Sequence, residues 1–151
     1  MALLEPWYVT GFCDGEAAFT YGRSGGTFAV SFSVKQRSDN KQIIEDVWEF
    51  FNYIGNVYNV KGIAPTKNSG TTKPSVMYRI SAVNELLIIV DHFDRYPLQS
   101  KKKHEAYTIW REMVMHKSAN YRKIDYDTLR ALAEKLSSLN SQSRAFIVHS
   151  K

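Results

Sequence analysis

The sequence predicts an α+β domain of order α-β-β-α-β-β-α, with further helix towards the C-terminus. Two observations predict the sheet and the helices. Paired segments alternate apolar and polar residues around turn signals, as antiparallel hairpins with one buried face do. Around them, apolar residues recur at the spacing of amphipathic helices. A third concerns size: 151 residues suffice for one domain with a real core. No apolar run approaches the ~20 residues that cross a bilayer, and no secretory leader pattern opens the chain. The single cysteine, Cys13, offers no disulfide framework, which fits a reducing, intracellular compartment. Lys and Arg total 20 against 15 Asp and Glu, a net charge of +5 that permits nucleic-acid binding without demanding it.

The first helix is predicted over residues 5–17. Pro6 suits its first turn, where the missing N–H would have no partner. Trp7, Tyr8, Val9, Phe12 and Cys13 make it mostly apolar. Gly11 and Gly15 lie on one face, with Thr10 and Asp14 beside them. Helical glycine costs up to about 1 kcal/mol relative to alanine, and a closely approaching second backbone would explain two of them. Asp14 and Glu16 then fall at the negative end of the helix dipole, where acids are unfavourable unless a cation is held.

Strands are predicted over 19–24 and 27–35, around Gly25-Gly26. Phe19, Tyr21, Phe28, Val30, Phe32 and Val34 face inward. Ala18, Thr20, Gly22, Thr27, Ala29, Ser31 and Ser33 face outward, forming a small-sided polar surface that is either simply solvated or open to DNA. Ser38 or Asp39 caps a helix to about Tyr53, with Ile43, Ile44, Val47, Trp48, Phe50 and Phe51 buried and Gly55 ending it. The third strand, 56–61, turns Tyr58 and Val60 away from Val57 and Asn59. A turn-rich loop over 62–75 carries Lys67 and Lys73. The fourth strand, 75–82, points Val76, Tyr78 and Ile80 inward and Met77, Arg79 and Ser81 outward. An apolar helix, 84 to about 93, closes before Pro97.

Ser100 caps a long helix from 101 to about 116 that packs Tyr107, Trp110, Met113 and Val114 inward. Lys101, Lys102 and Lys103 sit at its positive end, where cations are unfavourable. With the free N–H groups there they make an anion site that a phosphate would satisfy. Asp125 or Asp127 opens a last helix with Leu129, Leu132, Ala133 and Leu136 apolar. His92, His104, His116 and His149 show no metal-ligand spacing with Cys13. Trp7, Trp48 and Trp110 fall at core-facing spacing.

The run Val9-Thr10-Gly11-Phe12-Cys13-Asp14-Gly15-Glu16-Ala17 resembles the LAGLIDADG motif of the homing endonucleases, in its Gly-Phe-x-Asp-Gly-Glu-Gly form. Ala17 departs from it, standing where the family usually has glycine. The element order, the helix after Pro97-Leu98 and the Ser-Lys-Lys start extend the resemblance over about residues 4–116. It implies a single domain over 1–151, with a helical extension from about 120. The implied fold is a saddle whose curved antiparallel sheet lies in the DNA major groove, with the motif helices of two units packed together. One motif implies a homodimer and a near-palindromic double-stranded target.

The resemblance also implies site residues. Glu16 falls on the metal-binding acid, with the Gly15 carbonyl as a further ligand. Thr10, Gly11, Asp14 and Gly15 fall on the dimer interface. Gln36, closing the second strand, and Lys101 fall on the family's polar and basic positions around the water network, where Lys101 would stabilise charge developing on the phosphate, with Lys102 one register step away as the alternative. Mg²⁺ suits a site with few protein carboxylates. Thr20, Thr27, Ala29, Ser31, Ser33, Tyr58, Met77 and Arg79 on the outer face, with Arg23 and Ser24 near the hairpin tip, are expected to read DNA, and Lys67, Lys73 and Lys102 to contact it as well. The implied activity is a double-strand break by an intron-encoded endonuclease, in an organelle or a prokaryotic cytoplasm. The rivals are an RNA maturase or DNA-binding regulator that keeps the saddle without cutting, and an interaction domain bearing an accidental motif.

Overall fold

The computed structural model describes residues 3–24, 26–62 and 73–139. Pro6 opens helix α1 (Pro6–Glu16), which passes without a turn into strand β1 (Ala17–Ser24). The Ala17 N–H closes the helix on the Cys13 carbonyl while Ala17 already pairs with Val34, so the strand begins two residues earlier than alternation suggests. Strand β2 (Thr27–Arg37) pairs antiparallel with β1, from Ala17 opposite Val34 to Ser24 opposite Thr27. Gly26 takes a φ of 84°, the left-handed conformation a tight hairpin needs. Because β2 runs to Arg37, Gln36 lies within the strand instead of closing it.

A 3-10 turn, Ser38–Asn40, leads into helix α2 (Lys41–Phe50). Neither Ser38 nor Asp39 caps it through a side chain; Asp39 lies 3.7 Å from Arg37 instead. The helix ends before Tyr53 because Asn52 and Tyr53 adopt φ of 57° and 63°. Gly55 serves the next strand, not the helix end. A Cβ there would meet the Arg79 carbonyl at 2.7 Å and Ile80 at 2.6 Å.

Strands β3 (Asn56–Val60) and β4 (Ser75–Ile80) form the second hairpin, and the sheet order is β1-β2-β4-β3. Lys67 lies outside the described residues. Helices α3 (Val83–Arg95) and α4 (Lys101–Ala119) follow, both longer than the sequence suggests. Asp125, not Asp127, opens α5 (Tyr126–Leu139), accepting the N–H groups of Asp127 at 3.1 Å and Thr128 at 3.3 Å.

The helices cover the sheet face that carries Phe19, Phe32 and Tyr78. Phe19 is the hub, with ring centroids of Phe32, Phe93, Tyr107 and Trp110 at 5.5, 5.4, 5.3 and 5.1 Å. Such aromatic pairs add on the order of 1 kcal/mol each beyond their buried area. Trp110 is fully buried and donates its indole N–H to the Ser31 carbonyl at 2.8 Å. The expectation that all three tryptophans are core fails at Trp7. It is 53% exposed, edge-on to Tyr96, because its side of α1 has no cover within this chain. Among the described residues no helix is long and apolar enough to cross a membrane.

Candidate metal-binding end and nucleic-acid interface

The end of α1 meets the start of α4. Asp14 Oδ2 accepts the N–H groups of Gln99 and Ser100, each at 2.9 Å, and Oδ1 accepts the Ser100 hydroxyl at 2.6 Å. Ser100 therefore does not cap α4 with its own side chain. The anion at the start of α4 is the Asp14 carboxylate. It is disfavoured at the negative end of α1 and favoured at the positive end of α4. Partial burial raises the Asp14 pKa, but the hydrogen bonds from Ser100 and Gln99 and the charge of Lys103 outweigh it, leaving it below the usual carboxylate range.

Lys103 donates its ammonium to the Ala17 carbonyl, placing a cation at the C-terminal end of α1. Lys101 and Lys102 remain exposed beside it. Glu16 is exposed too, and no described residue hydrogen-bonds or ion-pairs with its carboxylate. Cys13, one turn back, is fully buried, and burial pushes its thiol up to about 12 despite the opposing pull of Lys103. Gln36 stands at the same end of the sheet, two residues beyond the Ala17–Val34 pair, and its amide oxygen accepts from Asn40 at 2.9 Å. The fold thus gathers Glu16, Gln36 and the lysine run at one end of the sheet.

Of the residues expected at an interface between units, Gly11 and Gly15 are exposed, and a Cβ at either would meet nothing within 4 Å. Trp7 and Tyr8, each 53% exposed, share this uncovered side of α1. Thr10 is a correction. It is 1% exposed and turned into its own chain, donating to the Tyr96 carbonyl at 2.8 Å with the His92 Nε2 at 3.0 Å. The hydroxyl has one proton and gives it to Tyr96, so His92 must be the Nε2–H tautomer. Asp14 is likewise occupied within the chain.

The register of the outer sheet face is explicit. Thr20 faces Ser31; Ala18, Ser33, Arg79 and Asn56 form one cross-strand row; Lys35, Met77 and Tyr58 form the next. Thr20, Tyr58 and Arg79 are exposed, while Thr27, Ala29, Ser33 and Met77 are half-buried. Ser31, expected open, is buried, with its hydroxyl 3.3 Å from that of Thr20. Arg23, expected near the hairpin tip, is there but not on the outer face. It pairs with core-facing Phe28 and holds its guanidinium 5.8 Å from that ring, on the helix side of the hairpin. Ser24 ends β1 opposite Thr27, and Lys73 is exposed just before β4. The four strands contain Arg23, Lys35, Arg37 and Arg79 and no Asp or Glu.

Residues 9–114 match the family model of the LAGLIDADG endonuclease. The chain belongs to this family. It is 28% identical over 124 residues to an uncharacterized 50.9 kDa protein in ND4 intron 1 of Podospora anserina, covering 76% of this chain and 25% of that protein. Its fold is similar to that of the LAGLIDADG meganuclease I-AabMI bound to uncleaved DNA, with TM-score 0.68 and 24% identity over 91% of this chain and 44% of that one. It is also similar to I-SmaMI bound to uncleaved DNA target in the presence of calcium ions, with TM-score 0.65 and 23% identity over 94% and 45% of the two chains. The chain spans about a quarter of the curated relative and less than half of these solved chains.

Two outer-face residues of this LAGLIDADG chain escaped the sequence reading, and a third, Lys103, was read only as part of an anion site and not as the partner of the Ala17 carbonyl. Lys35 and Asn56 share the outer face with residues that were singled out, and strict alternation through Lys35 to Arg37 and from Asn56 would have found them. The Ala17 partner of Lys103 gave no local signal, because it lies 86 residues away.

Proposed function

We propose that the chain is one unit of a site-specific DNA endonuclease, intron-encoded, which makes a divalent-metal-dependent double-strand break at a long, near-palindromic target. The observation that supports this best is the bare Glu16 carboxylate at the negative end of α1. An acid is disfavoured there unless a cation is held against it. The donor set fits Mg²⁺: hard oxygens from Glu16 and the Gly15 carbonyl, with Asp14 already engaged. Among the described residues no group of three or more His, Cys, Asp or Glu forms a metal site within one chain. The remaining ligands must therefore come from a partner unit, phosphate and water. When bound, the ion supplies Lewis-acid polarisation of the scissile phosphate.

The chain's own groups do the rest. Lys101 or Lys102, exposed at the start of α4 that Asp14 and Lys103 tie to the end of α1, stabilises charge that develops on the phosphate. Gln36, steadied by Asn40, holds a water by hydrogen bonding. The partner unit packs its first helix on the uncovered glycine side of α1, and in our reading that partner is a second copy. A second reading has the coverage of the longer relatives behind it, and there a second unit of the same polypeptide takes that place. Sedimentation equilibrium of the 151-residue chain separates the two, giving a dimer for the first and a monomer for the second.

The decisive test is cleavage of a palindrome-biased random DNA library with Mg²⁺, beside Glu16→Gln. Cutting by the parent at one enriched site, lost in the variant while binding persists, is the expected result. Selective binding with no cutting by either protein would leave a regulator or maturase that uses the saddle only to bind.

A further inference from the structure

On the outer sheet face, three of the hydroxyl groups already have partners. The Thr20 and Ser31 hydroxyls lie 3.3 Å from each other, and the Tyr58 hydroxyl donates to the Met77 sulfur at 2.9 Å. Two long cationic side chains on this face are different. Lys35 on β2 and Arg79 on β4 are exposed and have no hydrogen-bond or ion-pair partner among the described residues. Both stand on the inner strands of the β1-β2-β4-β3 sheet. Four strands at about 4.8 Å spacing span about 14 Å, against a major groove about 12 Å wide. In such a fit the edge strands meet the groove walls and their phosphates, while the inner strands face the base edges.

The register sets the spacing. Ser33 pairs with Arg79 and Lys35 with Met77, so Lys35 and Arg79 are diagonal neighbours across adjacent strands. Diagonal neighbours lie about 7–8 Å apart, which is about two base steps at a rise of about 3.4 Å. Arg and Lys donors in the major groove match the O6 and N7 acceptors of guanine. We infer that Arg79 and Lys35 each read a guanine, and that these two guanines lie two base pairs apart within one half-site. This rests on the proposed endonuclease reading and on the expectation, set by the family resemblance, that the outer sheet face lies in the DNA major groove. It adds the base class, the residues and the spacing.

The test is binding-site selection from a randomised duplex library by the parent, Arg79→Gln and Lys35→Met, with circular dichroism confirming the fold of each. The parent is expected to select two guanine positions two base pairs apart, on either strand. Arg79→Gln should move one of them towards adenine, the base that a Gln amide pairs with. Lys35→Met should flatten the other. Each variant should lose roughly 5- to 150-fold in affinity for the parental site. Arg95→Gln, a charge loss on the helical layer, should leave the selected site unchanged. Uniform weakening with an intact base profile and a shallower salt dependence would make both side chains phosphate contacts and overturn the inference, while the DNA-facing sheet would stand. Failure of the parent to select any site would overturn the DNA-facing reading itself, and the inference with it.

Discussion

Thr10 and Glu16, six positions apart on α1, show how far apart neighbouring polar residues can fall in role. Thr10 is tied into the core by the Tyr96 carbonyl and the His92 ring. Thr10→Val leaves both partners unsatisfied and should cost about 1–3 kcal/mol of stability in urea denaturation, with no change of oligomeric state. Burial lowers the His92 pKa to about 4, below its ordinary 6.5, with Asp91 only partly opposing it. The ring is neutral in the fold and takes up its proton more readily when the chain is unfolded. His92 therefore costs stability as pH falls from about 6.5 to about 4, and nothing at neutral pH. The fall in melting temperature over that window should be smaller in His92→Gln. The Asp14 carboxyl, lowered below 3.8, keeps its contribution throughout that window and loses it only in stronger acid.

At the scale of elements, the junction of α1 with α4 decides where the lysine run lies. Asp14 holds Gln99 and Ser100, and Lys103 holds the Ala17 carbonyl, so the two helix ends clamp each other. Asp14→Ala removes three hydrogen bonds and should cost about 2–3 kcal/mol. It should also lower cleavage more than DNA binding, because the sheet is untouched while the start of α4, which carries Lys101 and Lys102, is no longer tied by Asp14 to the end of α1. A cleavage loss no larger than the binding loss would show the clamp to be purely structural. None of this was visible locally, since the sequence places lysines on a dipole but not the acid that offsets them.

At the scale of the molecule, the uncovered side of α1 is the surface on which the proposed second unit would pack. Trp7 and Tyr8 are left half in water, and Gly11 and Gly15 have open space where a Cβ would stand. Gly11→Ala should therefore stabilise the isolated chain by up to about 1 kcal/mol, through helix propensity alone. In the proposed dimer it should at the same time weaken self-association, because the added methyl would hold the two helix backbones apart. Thermal unfolding and sedimentation measured together would show these opposite signs. Unchanged self-association would move the contact off the glycine face.

Element order, the core-facing residues of the strands and the acid at the end of α1 were legible in the chain because each depends on local periodicity or on a short motif. The helices α4 and α5 buried the side chains their spacing picked out, including Trp110 and Leu136. Only the folded chain could assign the rest. Thr10 turned inward because α3 offers it an imidazole and the residue that follows α3 a carbonyl, and Arg23 turned to the helix side because the hairpin register pairs it with Phe28. The row that sets Arg79 diagonal to Lys35 depends on β2 meeting β4 across a helix and a strand. Such contacts join residues far apart in sequence, where periodicity carries no information. Which of two solvent-compatible positions a polar side chain takes is then settled by the partner that satisfies its hydrogen bonds.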